Sequence, residues 1–168
     1  MPLSETRKKS ISTIKIITLI VLLSIGGLLP AHISVTLTPS LNHRVFFLIF
    51  NPDRNGIKKG DYVMFDMSKE VVRQFTDKQD TDKTLKIVGC VGGSFLTVVN
   101  KHYYCDNVYL GKAKDVSLAG KPVNNYVFNG TIPRGSLFVI GQHKDSFDSR
   151  YFGFIHSGDV VAKAFPIF

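Results

Sequence analysis

Apolar and polar positions along this chain fall into short blocks, not into a helical period. "RVFFLIF" (44–50), "DYVMFDM" (61–67), "TLKIVGCV" (84–91), "FLTVV" (95–99), "YYCDNVYL" (103–110), "NYVFNG" (125–130), "SLFVIG" (136–141) and "VVAKAF" (160–165) are rich in β-branched and aromatic residues. Gly, Asn, Asp and Pro separate them, as strand punctuation should. These blocks predict a mainly antiparallel β domain. "VFFLIF" lacks alternation, so it is either buried on both faces or dips into lipid. One stretch differs: in "SKEVVRQFTDK" (68–78), Ser68 is placed to cap a helix whose one face carries Val71, Val72 and Phe75. That pattern predicts a short surface helix. There is no internal repeat and no low-complexity tract.

The N-terminus breaks the pattern. In "RKKSISTIKIITLIVLLSIGGLLP", Arg7, Lys8 and Lys9 precede an apolar run from Ile16 to Leu29. Lys15 can snorkel toward headgroups, leaving a span of about 17–19 residues, enough for one transmembrane helix. The basic flank predicts a cytoplasmic N-terminus and export of the chain beyond Pro30. A cleaved secretory signal is the rival reading, but "LLPAHISV" lacks a clean small-x-small pair. The expected layout is a cytoplasmic segment 1–10, an anchor 11–30 and an exported domain 31–168.

Composition adds two constraints. The 168 residues leave room for one modest domain beside the anchor, and a formal charge of +8 favours anionic surroundings such as phospholipid headgroups. No zinc finger, helix-turn-helix or aromatic RNA-binding motif accompanies that charge, so nucleic acid is not an expected partner. In an oxidising compartment Cys90 and Cys105, flanking an expected hairpin, read as a disulfide, with two half-buried thiols as the alternative. Closing a loop of ~15 residues stabilises by ~3 kcal/mol in the chain-entropy description. No His/Cys cluster has metal-ligand spacing and no P-loop or GxGxxG is present, so neither metal nor cofactor is implied.

The candidate chemistry is sparse. Ser40, in "VTLTPSLNHRVFFLIF", follows the anchor by about ten residues. Alone it reads as a turn residue; with the apolar strand after it, it becomes a hydroxyl held at the bilayer boundary. A serine nucleophile needs a base. None of His32, His43, His102, His143 or His156 has a triad context. Lys86 lies among Leu85, Ile87, Val88 and Val91, where desolvation lowers an amine pKa toward the working range of a general base. The plainer reading of such a lysine is an edge-strand residue reaching water. "HKDSFDSRYFGFI" (143–155) is either a polar turn or one wall of a site.

Taken in order, "TPSLNHRVF", "GDYVMF", "KIVGCVGGS" and "DSFDSRYFG" resemble the Ser/Lys-dyad peptidases of the type I signal peptidase family. The resemblance is nearest to the conjugative-transfer, TraF-type branch that processes pilin precursors. It covers nearly the whole chain, and its most specific element is S-x-D-S-R-x-x-G, here Ser146, Asp148, Ser149, Arg150 and Gly153. It implies a signal-peptidase-like antiparallel β fold with one N-terminal transmembrane helix. Ser40 then matches the nucleophile, Lys86 the general base, and Thr38 a hydroxyl of the oxyanion hole. Ser146 matches the serine that hydrogen-bonds the lysine. Asp148 and Arg150 match the charged pair that holds the wall, Asp148 being supporting or directly catalytic.

The implied function is a membrane-anchored serine endopeptidase that cleaves exported precursors and matures a pilin subunit, with or without cyclisation. Its implied location is the bacterial inner membrane, with the catalytic domain on the periplasmic side. Its partners are a preprotein or pilin precursor and membrane lipid. A general signal peptidase would use the same site. A self-cleaving repressor would need a DNA-binding head where the anchor stands. A non-enzymatic assembly factor of an envelope channel would need no Ser40. Four departures from the family pattern bear on substrate preference: Asn42 and Arg44 replace Pro and Gly, Gly92 replaces Pro, and Ser94 replaces Asp.

Overall fold

The computed structural model describes residues 18, 26–27, 30–36, 40–67, 83–117 and 120–168. Two compact units are present, Met1–Ile33 and Ser34–Phe168. In the first, Thr18, Gly26 and Gly27 are helical and Pro30–His32 forms a 3-10 turn. Among the described residues no helix is long and apolar enough to cross a membrane. Most of the expected anchor 11–30, the expected helix 68–78 and Thr38 lie outside the described residues.

From Ile33 onward the chain is built from two antiparallel sheets. The larger contains β1 (Ile33–Val35), β2 (Val45–Phe50), β3 (Tyr62–Asp66), β4 (Lys83–Val91), β9 (Ser136–Ile140), β10 (Ile155–His156) and β11 (Val160–Pro166), in the order β1-β2-β11-β3-β4-β9-β10. The smaller contains β5 (Phe95–Val99), β6 (His102–Cys105), β7 (Val108–Lys112) and β8 (Gly130–Thr131), in the order β7-β6-β5-β8.

Two blocks fold differently from their pattern. "YYCDNVYL" is not one strand: Asp106 and Asn107 both take positive φ, 48° and 66°, and turn the chain between β6 and β7. Asn100 and Lys101 do the same between β5 and β6, at 50° and 65°. Paired positive φ is the signature of the two-residue hairpin turn whose twist suits right-twisted strands. "NYVFNG" is irregular except at Gly130; its Tyr126 and Phe128 pack against the inter-sheet core instead of entering a ladder.

The strand β2 pairs with β11, Phe47 opposite Phe165 and Ile49 opposite Lys163. It alternates after all: Phe46 and Leu48 are buried, while Ile49 and Phe50 stay 47% and 37% exposed. The open alternative in the sequence, burial on both faces, is therefore not what this strand does.

A core of Leu96, Tyr103, Ile132, Phe138 and the two half-cystines fills the space between the sheets. Cys90 on β4 and Cys105 on β6 are joined by a disulfide. The bond links one sheet to the other instead of closing a single hairpin. With the cysteines 15 positions apart, its loss should lower stability by about 3 kcal/mol. Denaturant unfolding of Cys105→Ala beside the oxidised and reduced parent checks this; reduction of the parent should reproduce the loss.

Candidate active site

The wall of the site is a tight turn at the end of β9. All of Ser136–Val139 is buried, and the chain leaves the sheet at Gly141. It re-enters order in a one-turn helix, Ser149–Phe152, capped by Asp148, whose carboxylate accepts from the Arg150 N–H at 3.2 Å. The helix ends at Gly153, where φ is +84° and a Cβ would lie 3.0 Å from the Tyr126 ring. Each letter of the S-x-D-S-R-x-x-G run thus has a separate mechanical task. Ser149 Oγ accepts from the Val139 N–H at 2.9 Å, fastening the helix to β9.

Asp148 is completely buried and holds the turn from inside. Its Oδ2 accepts from the Gly141 N–H at 2.8 Å and from Arg150 Nη2 at 2.6 Å, while Oδ1 accepts from Arg150 Nε at 2.8 Å. The pair is bidentate, the strongest geometry available to a guanidinium and a carboxylate. Arg150 also donates from Nη1 to the Lys112 carbonyl at 3.0 Å. Burial works against the Arg150 charge, but the hydrogen bond and charge of Asp148 outweigh it and hold the guanidinium more firmly protonated than usual.

Ser146 sits on this wall and faces Lys86. The lysine Nζ donates to Ser146 Oγ at 2.9 Å, and both side chains are buried. Lys86 occupies the interior of β4, opposite Val63 of β3, and is only 4% exposed. It is not an edge lysine reaching water. Burial pulls its pKa down from 10.5 to about 8; Asp148 raises it and Arg150 lowers it, both less than burial does. A neutral amine in this position keeps hydrogens for Ser146 and a lone pair for another acid.

Ser40 reaches the same place through its backbone. Its carbonyl accepts from the Gln142 N–H at 2.8 Å and the His143 N–H at 3.2 Å, so the loop carrying Ser146 also holds the Ser40 turn. Ser40 and Lys86 line one groove of about 380 Å³, with Thr36, Leu41, Met64 and Leu85 among its other walls. The last register pair between β9 and β4 is Ile140 with Ile87, so β9 has left the sheet before Leu85 and Lys86. The groove therefore opens beside that stretch of β4.

Two contributions were not read from the sequence. A Cβ on Gly141 would fall 2.0 Å from Ser146 Oγ and 2.9 Å from the Ser40 carbonyl, so only glycine lets both serines converge here. The signal was a glycine closing "SLFVIG" directly before the S-x-D-S-R run. Gln142 was also missed: its Oε1 accepts from the Asn42 N–H at 2.9 Å. A proline at position 42 has no N–H to give, so the departure at Asn42 adds a tie between the two loops. Arg44 donates its N–H to the Phe168 carbonyl at 2.9 Å. Gly92 lies so close to the 133–135 turn that a Cβ would approach the Pro133 carbonyl to 2.8 Å. Among the described residues no group of His, Cys, Asp and Glu could hold a metal ion.

A buried amine and a serine in one groove, braced by a motif of this type, define a hydrolytic class. Residues 7–168 match the family described as signal peptidase, peptidase S26. The chain belongs to that family and is a serine peptidase. The domain is also similar to a signal peptidase I from Enterococcus faecalis V583, at 21% identity over 64% of this chain and 95% of that one, with a TM-score of 0.41. No curated protein matches the chain significantly.

Two substitutions test the wall. Gly141→Ala should lower peptidase activity about 100-fold with the fold retained, since displacing reacting groups by about an ångström has that effect. Asp148→Asn should destabilise the domain by about 3–5 kcal/mol, because it leaves the buried Arg150 charge uncompensated. Circular dichroism melts of both variants separate the two outcomes: a large fall in Tm for Asp148→Asn and a small one for Gly141→Ala.

Proposed function

We propose that the protein is a membrane-anchored endopeptidase in which Ser40 is the nucleophile and Lys86 the general base. The observation that carries this reading is the buried Lys86 amine, hydrogen-bonded to Ser146 and lining the groove that Ser40 also lines. In the acylation step the neutral Lys86 amine takes the Ser40 hydroxyl proton as Oγ attacks the scissile carbonyl. The Ser40 N–H and the Thr38 hydroxyl stabilise the oxyanion, donors of a kind worth ~3–4 kcal/mol each. The lysine proton passes to the leaving amine, and water activated by the same lysine then releases the acyl group. Ser146 orients the amine; Asp148 acts through the wall, not on the substrate.

The substrate is an exported preprotein lying extended in the groove. The edge of β4 that β9 leaves at Ile140 supplies backbone partners for such a strand, with small side chains near the cut. Residues 11–30 anchor the protein in the inner membrane, and the catalytic domain works on the periplasmic side. The disulfide fits an oxidising compartment. Ile49, Phe50, Phe165 and Phe168 leave apolar surface exposed around β2 and β11, which suits contact with lipid.

The precursor we favour is a conjugative pilin subunit, on the strength of the ordered motifs from "TPSLNHRVF" to "DSFDSRYFG". Its new terminus is cyclised if a substrate amine replaces water. General preprotein processing is the second reading, favoured by the description of the matched family as signal peptidases. An assembly factor without catalysis would tolerate loss of Ser40.

Ser40→Ala and Lys86→Ala should each abolish precursor cleavage while the protein still accumulates in the membrane. Immunoblotting of precursor and product decides it, and retained cleavage in either variant rejects the dyad. The cleavage rate should also climb with pH and reach half its plateau near pH 8. With the amine pKa at about 8, about a tenth of Lys86 is neutral at pH 7, where an ordinary lysine offers less than about a thousandth. A profile flat from pH 6 to 10 would contradict the assignment of the base.

A further inference from the structure

The small sheet does more than cover the core: its β6–β7 ladder forms a socket for Arg150. Tyr103 of β6 is completely buried and stacks on Phe138 at a centroid separation of 5.6 Å. Its hydroxyl proton is shared between the Arg150 carbonyl at 2.9 Å and the Tyr126 carbonyl at 2.6 Å. Asn125 Nδ2 donates to the same oxygen at 3.2 Å. The Arg150 carbonyl also accepts from the Tyr126 N–H at 2.8 Å.

Across the ladder Tyr103 is paired with Gly111. Gly111 has φ +139°, and a Cβ there would meet Arg150 Nη1 at 3.0 Å. The next residue, Lys112, offers its carbonyl to that nitrogen. So two adjacent rungs of β6–β7 grip the backbone of Arg150 with a hydroxyl, leave room for its guanidinium where Gly111 lacks a side chain, and cap it with the Lys112 carbonyl. Two residues along, Cys105 ties the same strand to β4, the strand that bears Lys86.

We propose that Tyr103 is a positioning residue for catalysis: by holding the Arg150 backbone, it fixes Asp148, Gly141 and Ser146 against Lys86. It touches no substrate and acts only through the wall. The inference rests on the Ser40–Lys86 reading above. Charged groups acting on Lys86 are Asp148 and Arg150, with Lys83 lining the same groove. Those that face Tyr103 are Arg150, Asp148 and the Tyr151 phenol. Tyr103→Phe alters none of these charges; it removes one hydroxyl and keeps the ring.

The experiment is the pH dependence of kcat and KM for precursor-peptide cleavage by the full-length protein in detergent. The parent is measured first, with Lys86→Ala as the blank. A parent profile without an alkaline-rising limb would defeat the base assignment itself, independently of Tyr103. For Tyr103→Phe, loosening the wall admits water to the amine and returns its pKa toward that of free lysine. The midpoint of the limb should therefore move up by about half to one pH unit. At neutral pH kcat should drop on the order of tenfold, with KM unchanged within about twofold. A variant that melts earlier but keeps both midpoint and kcat has lost only packing, and that result overturns the proposal. If Tyr103→Phe does not fold, Asn125→Ala should shift the midpoint in the same direction by less, and an unmoved midpoint there overturns it equally.

Discussion

The site depends on the bidentate pair of Asp148 and Arg150, buried where neither charge could stand alone. A lone carboxylate acting on Lys86 would favour the ammonium. A lone guanidinium would stay uncompensated in the core. Together they act on the amine in opposite directions, so burial is left as the main influence on its protonation. The pair thus provides rigidity while Arg150 offsets part of the upward pull of Asp148 on the amine. A buried ion pair is poor evidence for stability by itself. Here it is better understood as fixing geometry, since the same carboxylate gathers the Gly141 N–H and the start of the Ser149–Phe152 helix.

That rigidity is drawn from both sheets. The large sheet supplies Lys86 from β4, paired with β3 on one side and buried against Ser146 of the wall. The small sheet receives Arg150 between Tyr103, Gly111 and Lys112, and the disulfide prevents β6 from drifting relative to β4. The wall is suspended between two layers, with the groove opening where β9 departs. Ser40 is held through its backbone carbonyl by Gln142 and His143, on the loop that also carries Ser146.

Much of this organisation was legible beforehand, for identifiable reasons. Blocks such as "DYVMFDM" and "SLFVIG" carry enough β-branched and aromatic residues, between clear breakers, to mark β3 and β9. The S-x-D-S-R-x-x-G run was legible through the family resemblance it carries; the structure shows its residues as a capping carboxylate, a fork-shaped cation and a glycine at positive φ. The turn at Asp106–Asn107 was hidden because neither residue is glycine, and Asp and Asn tolerate positive φ without announcing it. "NYVFNG" looked like a strand because its aromatics are packed residues, though they pack on a core and not in a ladder.

By itself, then, the chain's order of residues determined the β character and the cap and turn of the S-x-D-S-R-x-x-G run, because strand propensity and capping chemistry are local. Whether Lys86 met water, whether Gly141 had to be glycine, and which sheet Cys105 would join were decided only by the fold. Each of those depends on atoms brought close by tertiary packing, across 60 positions for Lys86 and Ser146 and 15 for the two cysteines, and no local pattern encodes such an approach.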